Sequence, residues 1–154
     1  MTRSTTLASS EPTTAEPVPE RTLLFRAGER LFGCGIDAVR EIVPNRRATR
    51  LPGAPPSVQG LINLRGTIVT VVDLALSLGG DRPASLDGSI VLVDHGARVA
   101  GLSVDQVLDV QMVAPEDVAG TVREENGAIR GMGRLGDTVV ILLDITNLVR
   151  QALV

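Results

Sequence analysis

A mostly β fold, built as two small barrels packed together with short helices, is what this 154-residue chain predicts. Three observations carry that expectation. About ten short apolar runs follow one another closely, Gly-rich turns separate them, and one supersecondary pattern occurs twice.

The elements follow in order. Residues 22–26 read as a strand, 27–29 as a turn around Gly28, and 30–34 as the returning strand of a hairpin. Over 36–43, Ile36, Val39, Ile42 and Val43 fall at helical spacing, with Asp37 early and Pro44 as the stop, which predicts a short helix or turn. Residues 46–51 read as an edge strand before the Pro/Gly loop 52–56. Strands at 61–65 and 68–72 flank Gly66 and Thr67 as a second hairpin, and Leu74 and Leu78 ahead of Gly79 and Gly80 suggest one or two helical turns. Later strands are expected at 89–94, 98–104, 109–113, 129–134 and 138–143, with a helix over 145–153. Residues 1–20 are rich in Ser, Thr, Pro, Glu and Ala, with no apolar stretch of signal-peptide type, and read as a disordered tail.

The repeat is the most informative pattern. Gly28, Arg30 and Gly33 fall on Gly96, Arg98 and Gly101, and Asp37, Val39 and Glu41 fall on Asp105, Val107 and Asp109, all at an offset of 68. Then IVTVVDL at 68–74 falls on VVILLDI at 139–145, and Gly60 on Gly131, at an offset of 71. Two ordered matches imply two related halves, expected at 21–86 and 87–154 within one domain at 21–154, each forming one barrel. A barrel of that size is marginal alone, so the two should pack together. The halves differ at one telling place: Arg65 falls on Gly136. A guanidinium between two apolar strands needs a partner, and Glu41 is the candidate; a surface hairpin Arg without a role is the competing reading.

Composition argues against several function classes. All fifteen basic residues are Arg, so P-loop, Schiff-base and general-base lysines are excluded. One Cys and one His cannot build a structural zinc site, which takes about four such ligands. With two Phe, no Trp, no Tyr and net charge −3, neither base-stacking platforms nor electrostatics favour nucleic acid. No apolar run approaches the roughly 18 residues of a membrane span, so direct membrane insertion is not expected, and the reading is a cytoplasmic protein. Gly131, Gly133 and Gly136 match G-x-G-x-x-G, but a strand-like run at 138–143 follows them where a dinucleotide site needs a helix. Asp73, Asp94, Asp105, Asp109 and Asp144 suit turns and helix starts better than a metal cluster, and Cys34 and His95 suit a buried thiol and an exposed turn better than a nucleophile and base. Arg46, Arg47 and Arg50 form the densest basic cluster: a solvated face, or one that attracts an acidic partner.

Four blocks carry a family resemblance. CGIDAVREI at 34–42, GLINLRGTIVTVVDL at 60–74, RVAGLSVDQVLDV at 98–110 and GMGRLGDTVVILLDI at 131–145 resemble, in order, the signature blocks of the CheW chemotaxis coupling family. The likeness spans about 21–153; Thr70 stands where the family commonly has Pro, and Cys34 where an aromatic is frequent. It implies two five-stranded SH3-like barrels and a non-enzymatic adaptor without metal or cofactor. Such an adaptor bridges the cytoplasmic tip of a chemoreceptor to the regulatory domain of the histidine kinase CheA, clustered at membrane-associated receptor arrays. The receptor-side residues carried over by motif are Val39, Glu41, Gly60, Asn63, Leu64, Arg65 and Gly66, with Glu41 and Arg65 paired; Val39 and Leu64 would be apolar anchors. Kinase contacts in the family use exposed apolar barrel ends, and no residue of this chain is assigned to them. The alternative is a CheW-like protein that binds only one of these partners and acts as a competitor or insulator; a small ligand-binding β protein or hydrolase is the remote third.

Overall fold

The computed structural model describes residues 18–116 and 127–153. Ten strands form two five-stranded sheets. In chain order they are β1 (Glu20–Ala27), β2 (Arg30–Gly35), β3 (Glu41–Pro44), β4 (Val58–Leu64), β5 (Thr67–Asp73), β6 (Ser89–His95), β7 (Arg98–Val104), β8 (Gln106–Glu116), β9 (Ile129–Leu135) and β10 (Thr138–Leu143). Helix α1 (Leu74–Ser77) follows β5 and α2 (Ile145–Ala152) follows β10. Each starts on an aspartate that accepts an N–H three residues on: Asp73 from Leu76 at 3.1 Å and Asp144 from Asn147 at 3.0 Å.

The first sheet is a closed barrel in the order β9-β10-β2-β1-β8, and the second runs β3-β6-β7-β5-β4. The repeat is real down to single pairings. Parallel β2 and β10 set Phe32 opposite Ile141, and parallel β7 and β5 set Ala100 opposite Thr70, the same two repeat positions. Glu41 opposite Leu92 in one sheet corresponds to Asp109 opposite Leu24 in the other. Gly33 and Gly101 are equivalent too: a Cβ on either would press to 2.6 Å on a neighbouring side chain, Thr22 or Ile90.

The expected barrel boundary at 86/87 is corrected by this topology. The first sheet takes β1 and β2 from the first repeat but β8, β9 and β10 from the second; the second sheet takes the reciprocal set. Each repeat lends its leading hairpin to the other, because strand periodicity in a sequence reports strands and faces, not which distant strand completes a sheet. Three apolar clusters result. Leu24, Val113, Val140 and Leu142 pack with one another in the first sheet, and Val43, Ile62, Leu64, Val69, Val71, Ile90 and Leu92 in the second. The largest, including Phe25, Phe32, Val72, Leu74, Val91, Leu102, Leu143 and Leu148, joins the two sheets and α2.

Four local expectations change. Only Ile36–Ala38 is helical, as one 3-10 turn; Val39 is already extended and Glu41–Pro44 is a strand paired with β6. β-branched Ile42 and Val43 fit a pleated surface better than a helix. Segment 46–51 is no strand but a covering loop, touching β4 through one antiparallel bridge between Thr49 and Leu61. Of the expected tail at 1–20, residues 1–17 lie outside the described set, while Glu20 opens β1 opposite Val113. His95 ends β6 and is half-buried rather than fully exposed. The linker between repeats is pinned by polar groups: buried Asp73 accepts from the Ala84 amide (2.6 Å), half-buried Asp105 from the Ser85 amide (2.8 Å), and the Asn45 side chain donates to the Ser85 carbonyl (3.0 Å).

Candidate functional site

The two sheets differ in how their outer strands meet. In the first sheet, long β8 pairs directly with β9, setting Ala114, Pro115 and Glu116 opposite Arg134, Gly133 and Met132. In the second, the equivalent β3 stops at Pro44, where the other repeat has Met112 inside β8. Pro44 is the last residue of the β3–β6 ladder, and among the described residues β3 forms no ladder with β4. Side chains and the covering loop close that seam instead.

Glu41, on β3, accepts a hydrogen bond from Arg65 Nη2 at 2.5 Å, joining the two outer strands of the second sheet. Beside it Arg46 Nη1 donates to the Asn63 carbonyl at 3.2 Å. Further along, Thr49 and Leu61 exchange two backbone hydrogen bonds of 2.8 Å.

Arg65 is held there by a tight turn. Leu64 and Thr67 are the last pair of the β4–β5 hairpin, which leaves Arg65 and Gly66 as a two-residue loop at φ +51° and +86°. Both central residues lie left-handed, the type I′ pattern that suits Asn-Gly or Gly-Gly. The Asn63 side-chain oxygen accepts from the Gly66 amide at 2.9 Å and locks the turn. Among the described residues Arg65 is the one non-glycine with positive φ. Its repeat equivalent is Gly136, at φ +60°, and the equivalent of Glu41, Asp109, folds back onto its neighbours: it accepts from the Val110 amide (2.7 Å) and the Gln111 side chain (2.9 Å). The strained arginine and its carboxylate partner thus occur in one repeat only.

The seven residues singled out in the sequence fall into three groups. Glu41, Asn63, Arg65 and Gly66 gather at the seam, Asn63, Arg65 and Gly66 being exposed. Gly60 is buried at φ +139° in a β-bulge, and a Cβ there would collide with the Thr49 carbonyl, so it shapes the seam from below. Val39 is half-buried against the inter-sheet cluster. Leu64, 8% exposed, belongs to the core of the second sheet, so as an outward apolar anchor it is corrected: its burial leaves no face for a partner. The apolar surface at the seam is carried by two residues the sequence reading passed over, Ile42 (40% exposed), next to Glu41, and Ile68 (58% exposed), opposite Asn63. Strict alternation along β3, with Val43 inward, was the signal for Ile42, and a helical reading of that stretch conceals it.

The other candidates resolve into structure. The 131–136 glycines lie in the β9–β10 hairpin: Gly131 at a bulge, Gly133 packed near Val113, Gly136 in the turn. Cys34 is buried, and loss of solvation pushes its thiol up to about 12. Burial also raises Asp73, with repulsion from Asp105 adding to it against the amides that hold its carboxylate. Among the described residues no three His, Cys, Asp or Glu side chains group to hold a metal, and no helix is long and apolar enough to cross a membrane.

The CheW-like domain model matches residues 21–153. The chemotaxis protein CheW of Klebsiella aerogenes is 32% identical over 149 residues, covering 92% of this chain and 89% of that protein. CheW of Treponema pallidum is 32% identical over 136 residues, covering 80% and 78%. Among solved structures, the scaffolding protein TtCheW of Thermoanaerobacter tengcongensis superposes with a TM-score of 0.73 at 30% identity, covering 84% of this chain and 92% of that one.

Proposed function

This chain belongs to the CheW-like domain family of non-enzymatic chemotaxis scaffolds, and from that premise we propose that it bridges the cytoplasmic tip of a chemoreceptor to the regulatory domain of the histidine kinase CheA. The observation that carries the receptor half of this reading is Arg65. A left-handed arginine costs backbone energy that its glycine equivalent in the other repeat avoids, and such strain concentrates where function requires it. It pairs with Glu41 beside Asn63, and exposed Ile42 and Ile68 lie next to Glu41 in sequence and opposite Asn63 in register, which puts polar and apolar groups on neighbouring strands. That composition suits a helical hairpin laid along the seam, its apolar face on the two isoleucines and its polar groups on Arg65 and Glu41.

In this reading Glu41 holds Arg65 in position before docking, so the guanidinium needs little ordering when the receptor arrives. Gly60, Leu64 and Gly66 keep the hairpin and its floor in shape, and Val39 braces the approach to β3 against the core. The adaptor works in the cytoplasm and reaches receptor arrays at the membrane through its partners.

The test is calorimetric titration against two ligands from one cell, a receptor cytoplasmic hairpin and a CheA regulatory domain, with Arg65→Glu alongside. Binding to both, with the receptor arm weakened by Arg65→Glu, is the expected result. Receptor binding alone assigns the chain to an insulator role, and binding to neither overturns the bridging reading.

A further inference from the structure

We propose that a second site, the pocket between the covering loop after β3 and the pinned linker before β6, binds an acidic peptide segment that carries a carboxylate beside an apolar side chain. The pocket holds about 330 Å³, at the lower end of the roughly 300–1,000 Å³ of ligand sites. Leu76, Pro83 and Leu86 give it apolar walls, and Arg47 and Arg50, both exposed, also line it. Among the described residues neither of these guanidiniums has a hydrogen bond or ion pair, whereas Arg40, Arg46, Arg65 and Arg130 are all engaged.

Both walls are held in place before any ligand arrives. The covering loop is fastened to β4 by the Thr49–Leu61 exchange and by Gln59, whose side chain donates to the Arg46 carbonyl (3.2 Å) and to Asn45 (3.3 Å). The linker hangs on Asp73 and Asp105 through the Ala84 and Ser85 amides. A preformed site loses less freedom on binding.

The charge pattern selects the ligand. Asp73 is the one acid lining the pocket; it is 2% exposed and its two oxygens are taken by the Leu76 and Ala84 amides. A ligand anion therefore belongs at the exposed arginines, away from that buried carboxylate, and two guanidiniums suit a carboxylate. Leu86, 51% exposed, carries the apolar wall out onto the surface, so the occupant continues past one side chain, as a peptide does and a free small acid does not.

The experiment is an NMR titration of the ¹⁵N-labelled full chain with a capped hexapeptide of alternating Glu and Leu. A Gln–Leu hexapeptide and inorganic phosphate serve as controls. Expected are saturable shifts at Ala48, Gln59, Leu76, Ala84 and Leu86, and affinity about tenfold or more weaker in the Arg47→Glu/Arg50→Glu double variant. The variant's remaining amide spectrum, unchanged, reports that it folds, and its receptor-hairpin affinity stays at the parent value. Equal binding of the Gln–Leu peptide, shifts confined to the seam around Arg65, or no saturable shift at all overturns the proposal. Phosphate shifts at the two arginines without peptide shifts at Leu76 and Leu86 overturn it equally, reducing the pocket to a simple anion site.

Discussion

Replacing Arg65 by glycine separates what the turn wants from what the surface wants. A left-handed non-glycine residue costs about 1–2 kcal/mol, and Arg65 sits at φ +51°. Against this stands its ion pair with Glu41, whose side chains are 66% and 39% exposed; exposed pairs contribute about 0.2–1 kcal/mol. Glycine also adds freedom to the unfolded chain, worth about 0.4–1 kcal/mol. The terms nearly cancel, so Arg65→Gly should leave folding stability within about 1 kcal/mol of the parent while receptor-hairpin affinity falls. Urea unfolding followed by circular dichroism measures the first and calorimetry the second. Leu64→Ala, one residue away and buried, calibrates the scale, since deleting such a core side chain costs about 2–5 kcal/mol. A loss above about 2 kcal/mol for Arg65→Gly would show that the ion pair supports the seam. Its place in one repeat alone would then need no partner to explain it.

Other variants probe the supports. Gly60→Ala places a methyl against the Thr49 carbonyl at a backbone angle that L residues avoid, and should lower stability by about 2 kcal/mol or more in the same unfolding assay. Because burial raises Asp73 above its ordinary 3.8, folding favours its protonated form; that contribution is full below pH 3.8 and is lost as pH rises through the folded value. Unfolding midpoints taken from pH 3 upward should therefore show a downward component that is absent in Asp73→Asn; an unchanged profile in the variant would assign the slope elsewhere. Cys34, pushed up to about 12 and buried, should react with a disulfide reagent at pH 8 at least about a thousandfold more slowly than in the unfolded chain. Rapid labelling of the native protein would mean that β2 opens readily.

How much of this was legible beforehand depended on whether the physics was local. Hairpins announce themselves through Gly28, Gly66 and Gly96 between alternating apolar runs, and all three sit in hairpin turns, the second being Arg65–Gly66 where Gly66–Thr67 was expected. The internal repeat was visible because register is copied with sequence. The Arg65–Glu41 pair followed from an arginine with no counterpart. What stayed hidden was non-local. Nothing in 30–34 says that its parallel neighbour lies at 138–143, more than a hundred residues away. Ile36, Val39, Ile42 and Val43 match a helical period by coincidence of a turn followed by a strand, and only pairing with β6 decides between the two. Leu64 reads as available because it neighbours Arg65, yet alternation along β4 turns it inward.

The reciprocal loan of hairpins has a consequence for how the chain is made. On the ribosome, β1 and β2 are synthesised first, but the strands that complete their sheet end at Leu143, 108 residues after Gly35. At about 5–20 residues per second, the leading hairpin waits on the order of ten seconds for them. The second sheet, β3 to β7, is continuous in sequence and has all its strands once Val104 is made, but the first encloses it in the chain, so the nascent protein carries the unpaired edges of its leading hairpin until nearly its last strand. A premature stop before β10 leaves the second sheet with all its strands but not the first. It leaves a gap in the sheet that holds the first strands made, and a chain exposed to chaperones and proteases.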